Sequence, residues 1–353
     1  MEIIEKTSLH LEVEPLKQAF GFKGGALTEL WQVTCRIVSD AGRRGTGLGV
    51  QSVLWSDSGV FGRYGQQEGN RLMLAVTEYA LECLRGRTMT SPPEMITQLI
   101  PEVMEYAKKL TGEEKLRTTF VLNALTPVDW ALWQLYADQK DCHCLPKLAA
   151  EFTTRLDQRQ PCLGNIPLIS YDTAENQITE LADKGRFLFK IKIGSNPGGR
   201  NCPEEMLAWD LQRLAQIHRL LGERSTPWTE CGHPVYYLDA NGRYDTMERL
   251  ERFLDGADQC GALSRIVLLE EPFAEDQLQS VRGLPITVAA DESAHSARDA
   301  CELMEEYGYG AIALKPVAKT LSVSLDILEE AGKRGGSLFL RGSDGESFHG
   351  GVQ

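Results

Sequence analysis

The hydrophobic and polar positions of this chain fall into two textures. Residues 30–38 alternate apolar and polar side chains, as a strand with one buried face does, and end in a turn at Ser39-Asp40-Ala41-Gly42. Gly45-Thr46-Gly47-Leu48-Gly49-Val50 follows. Its spacing suggests a phosphate loop, but no helix start comes after it, so a hairpin partner strand is expected. Residues 20–26 and 51–65 are rich in Gly and Ser and read as mobile loops able to touch a ligand. Helical periodicity predicts helices over 68–84, 93–110 and 127–136, the last apolar nearly all round and so buried.

From residue 166 the pattern changes to short apolar runs separated by longer amphipathic ones. Strands are expected over 166–170, 188–193, 235–238, 266–269, 286–289, 311–314 and 337–340. Helices are expected between them, over 204–221, 245–254, 297–306 and 321–331. Strand-helix alternation with buried strands means a parallel sheet, and so many successive units favour a barrel over the alternative, an open doubly wound sheet.

Composition narrows the class. The 353 residues, 42% hydrophobic and 25% charged, are enough for one large core or two domains. No run approaches the roughly 18 uninterrupted apolar residues of a membrane span, and Met1-Glu2-Ile3-Ile4-Glu5 lacks a signal-peptide pattern. A formal net charge of -13 with no basic stripe argues against a nucleic-acid partner, and no membrane partner is expected. Nine cysteines, an odd number scattered through both halves, read as reduced thiols in a cytoplasmic protein. Cys142-His143-Cys144 suggests a soft metal site, but no second Cys/His pair stands at zinc-site spacing.

The candidate chemistry centres on Phe189-Lys190-Ile191-Lys192-Ile193-Gly194. On a strand, Lys190 and Lys192 share a side. Two cations among apolar residues repel each other and lose hydration, both of which lower an ammonium pKa toward the range of a base. The plain alternative is a pair of surface lysines on an edge strand. Four later strands, however, each deliver ionisable residues at the carboxyl end, where barrel enzymes keep their sites. They are Asp239-Ala240-Asn241, Glu270-Glu271-Pro272, Asp291-Glu292-Ser293 and Lys315-Pro316. Asp239 and Asp291 could each simply cap a turn. Three carboxylates converging at one level would repel strongly, and a hard divalent cation such as Mg²⁺ is the simplest remedy.

The order Lys-x-Lys, Asp-x-Asn, Glu-x-Pro, Asp-Glu, Lys resembles the enolase superfamily, in particular its muconate-lactonizing branch within the mandelate racemase/muconate lactonizing enzyme family. Trp130-Ala131-Leu132-Trp133 and Leu145-Pro146-Lys147-Leu148 also look like that family's approach to its barrel. The resemblance implies an α/β protein, a modified (β/α)7β TIM-type barrel with an N-terminal α+β capping domain. The cap would take residues 1–125 and the barrel residues 126–353. It implies Mg²⁺ held by Asp239, Glu270 and Asp291, and acid/base roles for Lys192 and Lys315 on opposite faces of a small carboxylate substrate. Lys190 would set the electrostatics of Lys192, with Asn241 and Glu292 near the substrate. The implied reaction is removal of the proton α to the carboxylate through a metal-stabilised enediolate. The outcome would be racemisation, epimerisation or cycloisomerisation, by an enzyme that assembles as a homo-oligomer.

Three features depart from the family. Gly47-Leu48-Gly49-Val50 stands where Gly-Tyr-Gly-Glu is usual, and Leu321-Ser322 stands for the usual Gly-Gly. The last barrel strand is missing or short, with no Asp-x-Asp of the kind dipeptide epimerases use for the substrate amine. The gap is expected to be covered by other residues rather than closed by the Gly-rich residues 341–353. Two other functions stay open. One is an acid-sugar dehydratase, which would want a histidine base such as His295 or His349, and the other is a non-catalytic barrel that keeps the metal site.

Overall fold

The computed structural model describes residues 2–22, 25–158, 164–334 and 337–340. In chain order the strands and helices are β1 (Ile4–Phe22), β2 (Gly25–Ser39), β3 (Arg44–Gln51), α1 (Val53–Ser56), α2 (Ser58–Leu84), α3 (Pro92–Thr111), α4 (Thr118–Gln139) and α5 (Leu145–Ala149). Then come β4 (Leu168–Ile169), α6 (Glu175–Asp183), β5 (Leu188–Lys192), α7 (Pro203–Leu221), β6 (Val235–Asp239), α8 (Met247–Gln259), β7 (Ile266–Glu270) and β8 (Val288–Ala290). The series ends with α9 (Ala297–Glu302), β9 (Ala311–Leu314), α10 (Pro316–Lys319), α11 (Leu321–Lys333) and β10 (Ser337–Leu340). These form two compact units. The first takes the described residues of 1–159, 295–297 and 315–329; the second takes the rest.

In the first unit β1, β2 and β3 form an antiparallel meander in that order. The turn at 39–42 closes as expected, with Gly42 at φ +81° donating its N–H to the Ser39 carbonyl. β2 buries Val33, Cys35 and Ile37, and their partners across the ladder are Gly49, Gly47 and Gly45. Cross-strand partners share a face, so the three glycines lie on the side where α4 packs. A Cβ on Gly45 would come within 1.9 Å of the Ala131 carbonyl oxygen, and one on Gly47 within 2.1 Å of that of Pro127. The Gly-x-Gly-x-Gly run is a strand, as expected, and its spacing makes it a seat for a buried helix.

Two loop expectations are corrected here. Residues 51–65 are largely helical, forming α1 and the start of α2. Side chains distant in sequence hold that start: Asn123 Oδ1 accepts the Ser52 N–H at 3.0 Å and Asn70 Oδ1 the Val53 N–H at 2.8 Å. Asp57 caps α2 by accepting the Val60 N–H at 2.9 Å. In the 20–26 segment, Phe20, Gly21 and Phe22 pair with Leu27, Ala26 and Gly25, continuing the β1–β2 ladder.

The second unit carries all seven strands expected after residue 166, in a parallel ladder ordered β10-β9-β8-β7-β6-β5-β4. Helices intervene, and α8 shows why they pack: Leu250, Phe253, Leu254 and Ala257 are its buried positions, at helical spacing. Among the described residues β4 and β10 are the ends of the ladder; the expectation about residues 341–353 lies outside them. The register sets up the site. Lys192 pairs with Asp239, and Asp239 with Glu270, so their side chains leave adjacent strands at one level. Tyr237, Leu268 and Ala289, two residues before Asp239, Glu270 and Asp291, belong to one buried cluster beneath that level. Among the described residues no helix is long and apolar enough to cross a membrane.

Candidate proton-transfer and metal site

All five residues of β5 are buried, because the strand lies inside the sheet rather than at its edge. Lys190 and Lys192 therefore point inward together, and their ammonium nitrogens lie 2.6 and 2.7 Å from the same oxygen, Oδ2 of Asp239. Lys190 also reaches Oε2 of Glu270, which accepts the Tyr237 hydroxyl as well. The Lys190 ammonium stands 4.7 Å from the centre of the Tyr237 ring, a cation–π contact. The lysines are thus not left to repel each other in apolar surroundings; carboxylates sit between them.

Asn241 joins the next carboxylate to this group. Its Oδ1 accepts from Lys192, and its Nδ2 donates to Glu292 Oε1 at 3.0 Å. Its backbone N–H donates to Asp239 Oδ1 at 3.2 Å, with φ at +47°. Asparagine tolerates this left-handed conformation. Glu271, at φ +42°, does so less readily, at an expense of order 1–3 kcal/mol. That conformation breaks the strand alternation that would send Glu270 and Glu271 to opposite faces. Glu271 Oε2 then accepts the Asp291 N–H at 2.7 Å and the Ser293 hydroxyl at 3.0 Å. Glu271 fixes the chain that carries Asp291 and Glu292. Burial, then the charge of Glu292, push its carboxyl well above the ordinary carboxylate range.

Oxygens of Glu270, Asp291 and Glu292, all buried, lie within 4.8 Å of one another. An all-carboxylate donor set suits a hard cation such as Mg²⁺. Among the described residues this is the group of that kind; Cys142 and Cys144 belong to none.

The structure brings Lys190, Lys192, Asp239, Asn241, Glu270, Asp291 and Glu292 into one region of the second unit. Glu292 stands among the carboxylate oxygens, where the sequence grouped Asp239 with Glu270 and Asp291. Lys315 follows β9 and opens α10, in the first unit. Sequence reasoning gave no role to Tyr237 or Glu271. Tyr237 was legible, since it stands two residues before Asp239 and so shares its side. Nothing in Glu270-Glu271-Pro272 announces a left-handed glutamate.

Residues 173–329 match the Enolase C-terminal domain-like family. An L-Ala-D/L-Glu epimerase of Thermotoga maritima is 27% identical over 186 residues, 51% of this chain and 47% of its own, so the match spans about half of that relative. A mandelate racemase/muconate lactonizing protein from Herpetosiphon aurantiacus superposes with a TM-score of 0.69 at 18% identity, covering 96% of this chain and 82% of its own. An L-talarate/galactarate dehydratase from Salmonella typhimurium LT2 gives 0.65 at 20%, covering 96% and 77%. The shared fold is an α/β barrel preceded by a capping domain. Residues 173–329 thus match the Enolase C-terminal domain-like family, and the chain resembles the mandelate racemase/muconate lactonizing enzyme branch of the enolase superfamily in its motifs and shares that branch's fold.

Proposed function

We propose that the protein removes the proton α to the carboxylate of a small substrate and returns it, as an isomerase of the racemase or epimerase kind. The observation that carries this reading is the pairing of Lys192 with Asp239 beside the buried cluster of Glu270, Asp291 and Glu292. Mg²⁺ bound by these carboxylates, Asp239 included, would offset the negative charge that grows on the substrate as the proton leaves.

The remaining work falls to side chains. Lys192, once neutral, takes the proton on one face, and the family resemblance gives Lys315 the matching role on the other. Lys190, held on Asp239 and Glu270, supports the charge developing nearby. Asn241, bridging Lys192 and Glu292, fixes the distance between the proton-transfer group and the carboxylates. The name of the Thermotoga relative, L-Ala-D/L-Glu epimerase, favours proton return over elimination. The likeness to an acid-sugar dehydratase supports a second reading in which proton removal is followed by loss of water.

The test is exchange of α-protons with deuterated solvent, in the presence of Mg²⁺, across dipeptides and acid sugars. Wild type should exchange at least one carboxylate, and product structure separates isomerisation from dehydration. Lys192→Ala and Lys315→Ala should each lower racemisation by ~10²–10⁴-fold, the usual worth of a general base. Lack of exchange on every substrate would favour a non-catalytic barrel.

A further inference from the structure

Beyond the site itself, the turn leaving β5 is held by a carboxylate that the chemistry does not use. Asp210 lies in the third turn of α7, too far along to cap that helix, and it is fully buried. Its Oδ2 accepts the Gly194 N–H at 2.7 Å and the Tyr244 hydroxyl at 3.1 Å, and its Oδ1 accepts the Ser195 N–H at 3.3 Å. Burial pushes its carboxyl up to about 6 despite these donors, so at neutral pH the interior holds an anion.

The same turn is gripped from its other side. The Tyr171 hydroxyl, in the segment after β4, donates to the Ile193 carbonyl at 3.0 Å. The Ile193 N–H donates to the Asp239 carbonyl at 3.0 Å. Gly194 stands at φ +78°, and a Cβ there would meet the Arg243 Cβ at 2.5 Å. Tyr244 in turn donates its backbone N–H to the Pro272 carbonyl, after β7, at 3.0 Å. Elements following β4 and β6 therefore meet the turn just past Lys192, and the segment after β7 holds Tyr244 in place behind Asp210.

An ordinary strand-to-helix connection needs no buried anion, and taking a carboxylate out of water is expensive unless its donors are fixed in place. We infer that Asp210 is a positioning residue: by pinning the Gly194 and Ser195 amides it holds the end of β5 and aims the Lys192 ammonium at Asp239 and Asn241. The importance of that aim rests on the proton-transfer reading of Lys192, but the aim can be measured without a substrate.

The experiment compares acylation of individual lysines by acetic anhydride, read by mass spectrometry, in the full chain with Mg²⁺ present. In Asp210→Asn, Lys192 should be modified at least threefold faster than in wild type while Lys190, two residues earlier on the same strand, changes less than twofold. Hydrogen exchange should rise in the peptide covering 188–196. A merely structural role would raise both lysines together, and that result, or no change at Lys192, overturns the proposal. If Asp210→Asn does not fold, Tyr244→Phe removes a single donor and should raise Lys192 labelling about twofold; an unchanged Lys192 there overturns it equally. Absence of α-proton exchange in wild type would sink the proton-transfer reading and leave this labelling result standing.

Discussion

The Lys192 ammonium lies 2.7 Å from Oδ2 of Asp239, across two strands in register. A divalent cation drawing on Asp239 must therefore share that carboxylate with an ammonium. Opposite signs follow for two variants. Asp239→Asn removes a negative charge and should weaken Mg²⁺ binding at least tenfold, ~1.4 kcal/mol. Lys192→Ala removes the competing positive charge and should tighten binding severalfold at low ionic strength, where the interaction is least screened. Glu292→Gln should also weaken it, since Glu292 stands among the clustered oxygens. Titration calorimetry measures all three, and an Asp239→Asn protein with wild-type affinity would remove Asp239 from the metal site.

Gly47 concerns stability rather than chemistry. The atom that a Cβ there would meet, at 2.1 Å, is the Pro127 carbonyl oxygen, which is backbone and cannot rotate away. Gly47→Ala must push α4 off β3, and overpacking of this kind typically costs about 1–3 kcal/mol or more. The control is Gly62→Ala, within α2, where an added Cβ meets nothing within 4 Å. There alanine should stabilise by ~0.5–1 kcal/mol, the usual helical preference over glycine. Urea unfolding of both proteins checks this; equal midpoints would show that the helix seat yields at no cost.

The second unit was far more legible than the first, for a physical reason. Parallel strands are buried on both faces, so each reads as an apolar run, and the ionisable residue that ends it stands out, as Asp239 does after Val235–Leu238. What stayed hidden depends on backbone geometry or distant contacts. Alternation sends Glu271 away from Glu270, and only its left-handed φ turns it toward Asp291. Asp210 looks like one more polar position of an amphipathic helix until the 194–195 turn folds onto it. In the first unit, the Gly and Ser of 51–65 suggested a loop because the partners that make it helical, Asn70 and Asn123, lie far along the chain.

A last prediction concerns pH. Asp129, on α4, is fully buried, and its carboxylate accepts the Leu321 and Ser322 N–H groups at 2.7 and 3.1 Å together with the Ser322 hydroxyl. Trp133 donates to the same Ser322 hydroxyl oxygen at 3.1 Å, so α4 grips the start of α11. Burial pushes the Asp129 carboxyl up to about 7, with the nearby charge of Asp326 adding to it. A carboxyl raised on folding binds its proton more tightly in the native state than in the unfolded chain. Its stabilisation is complete below about pH 4, the unfolded value, and is lost as pH rises through about 7, on the order of 4 kcal/mol in all. Asp129→Asn cannot titrate. The stability of wild type minus that of Asp129→Asn, from urea unfolding between pH 5 and pH 8, should therefore fall with rising pH. Taking the difference cancels titrations common to both proteins, the other buried carboxylates included. A difference that stays level, or grows, would mean that the Leu321 and Ser322 donors outweigh burial and keep Asp129 ionised across the range.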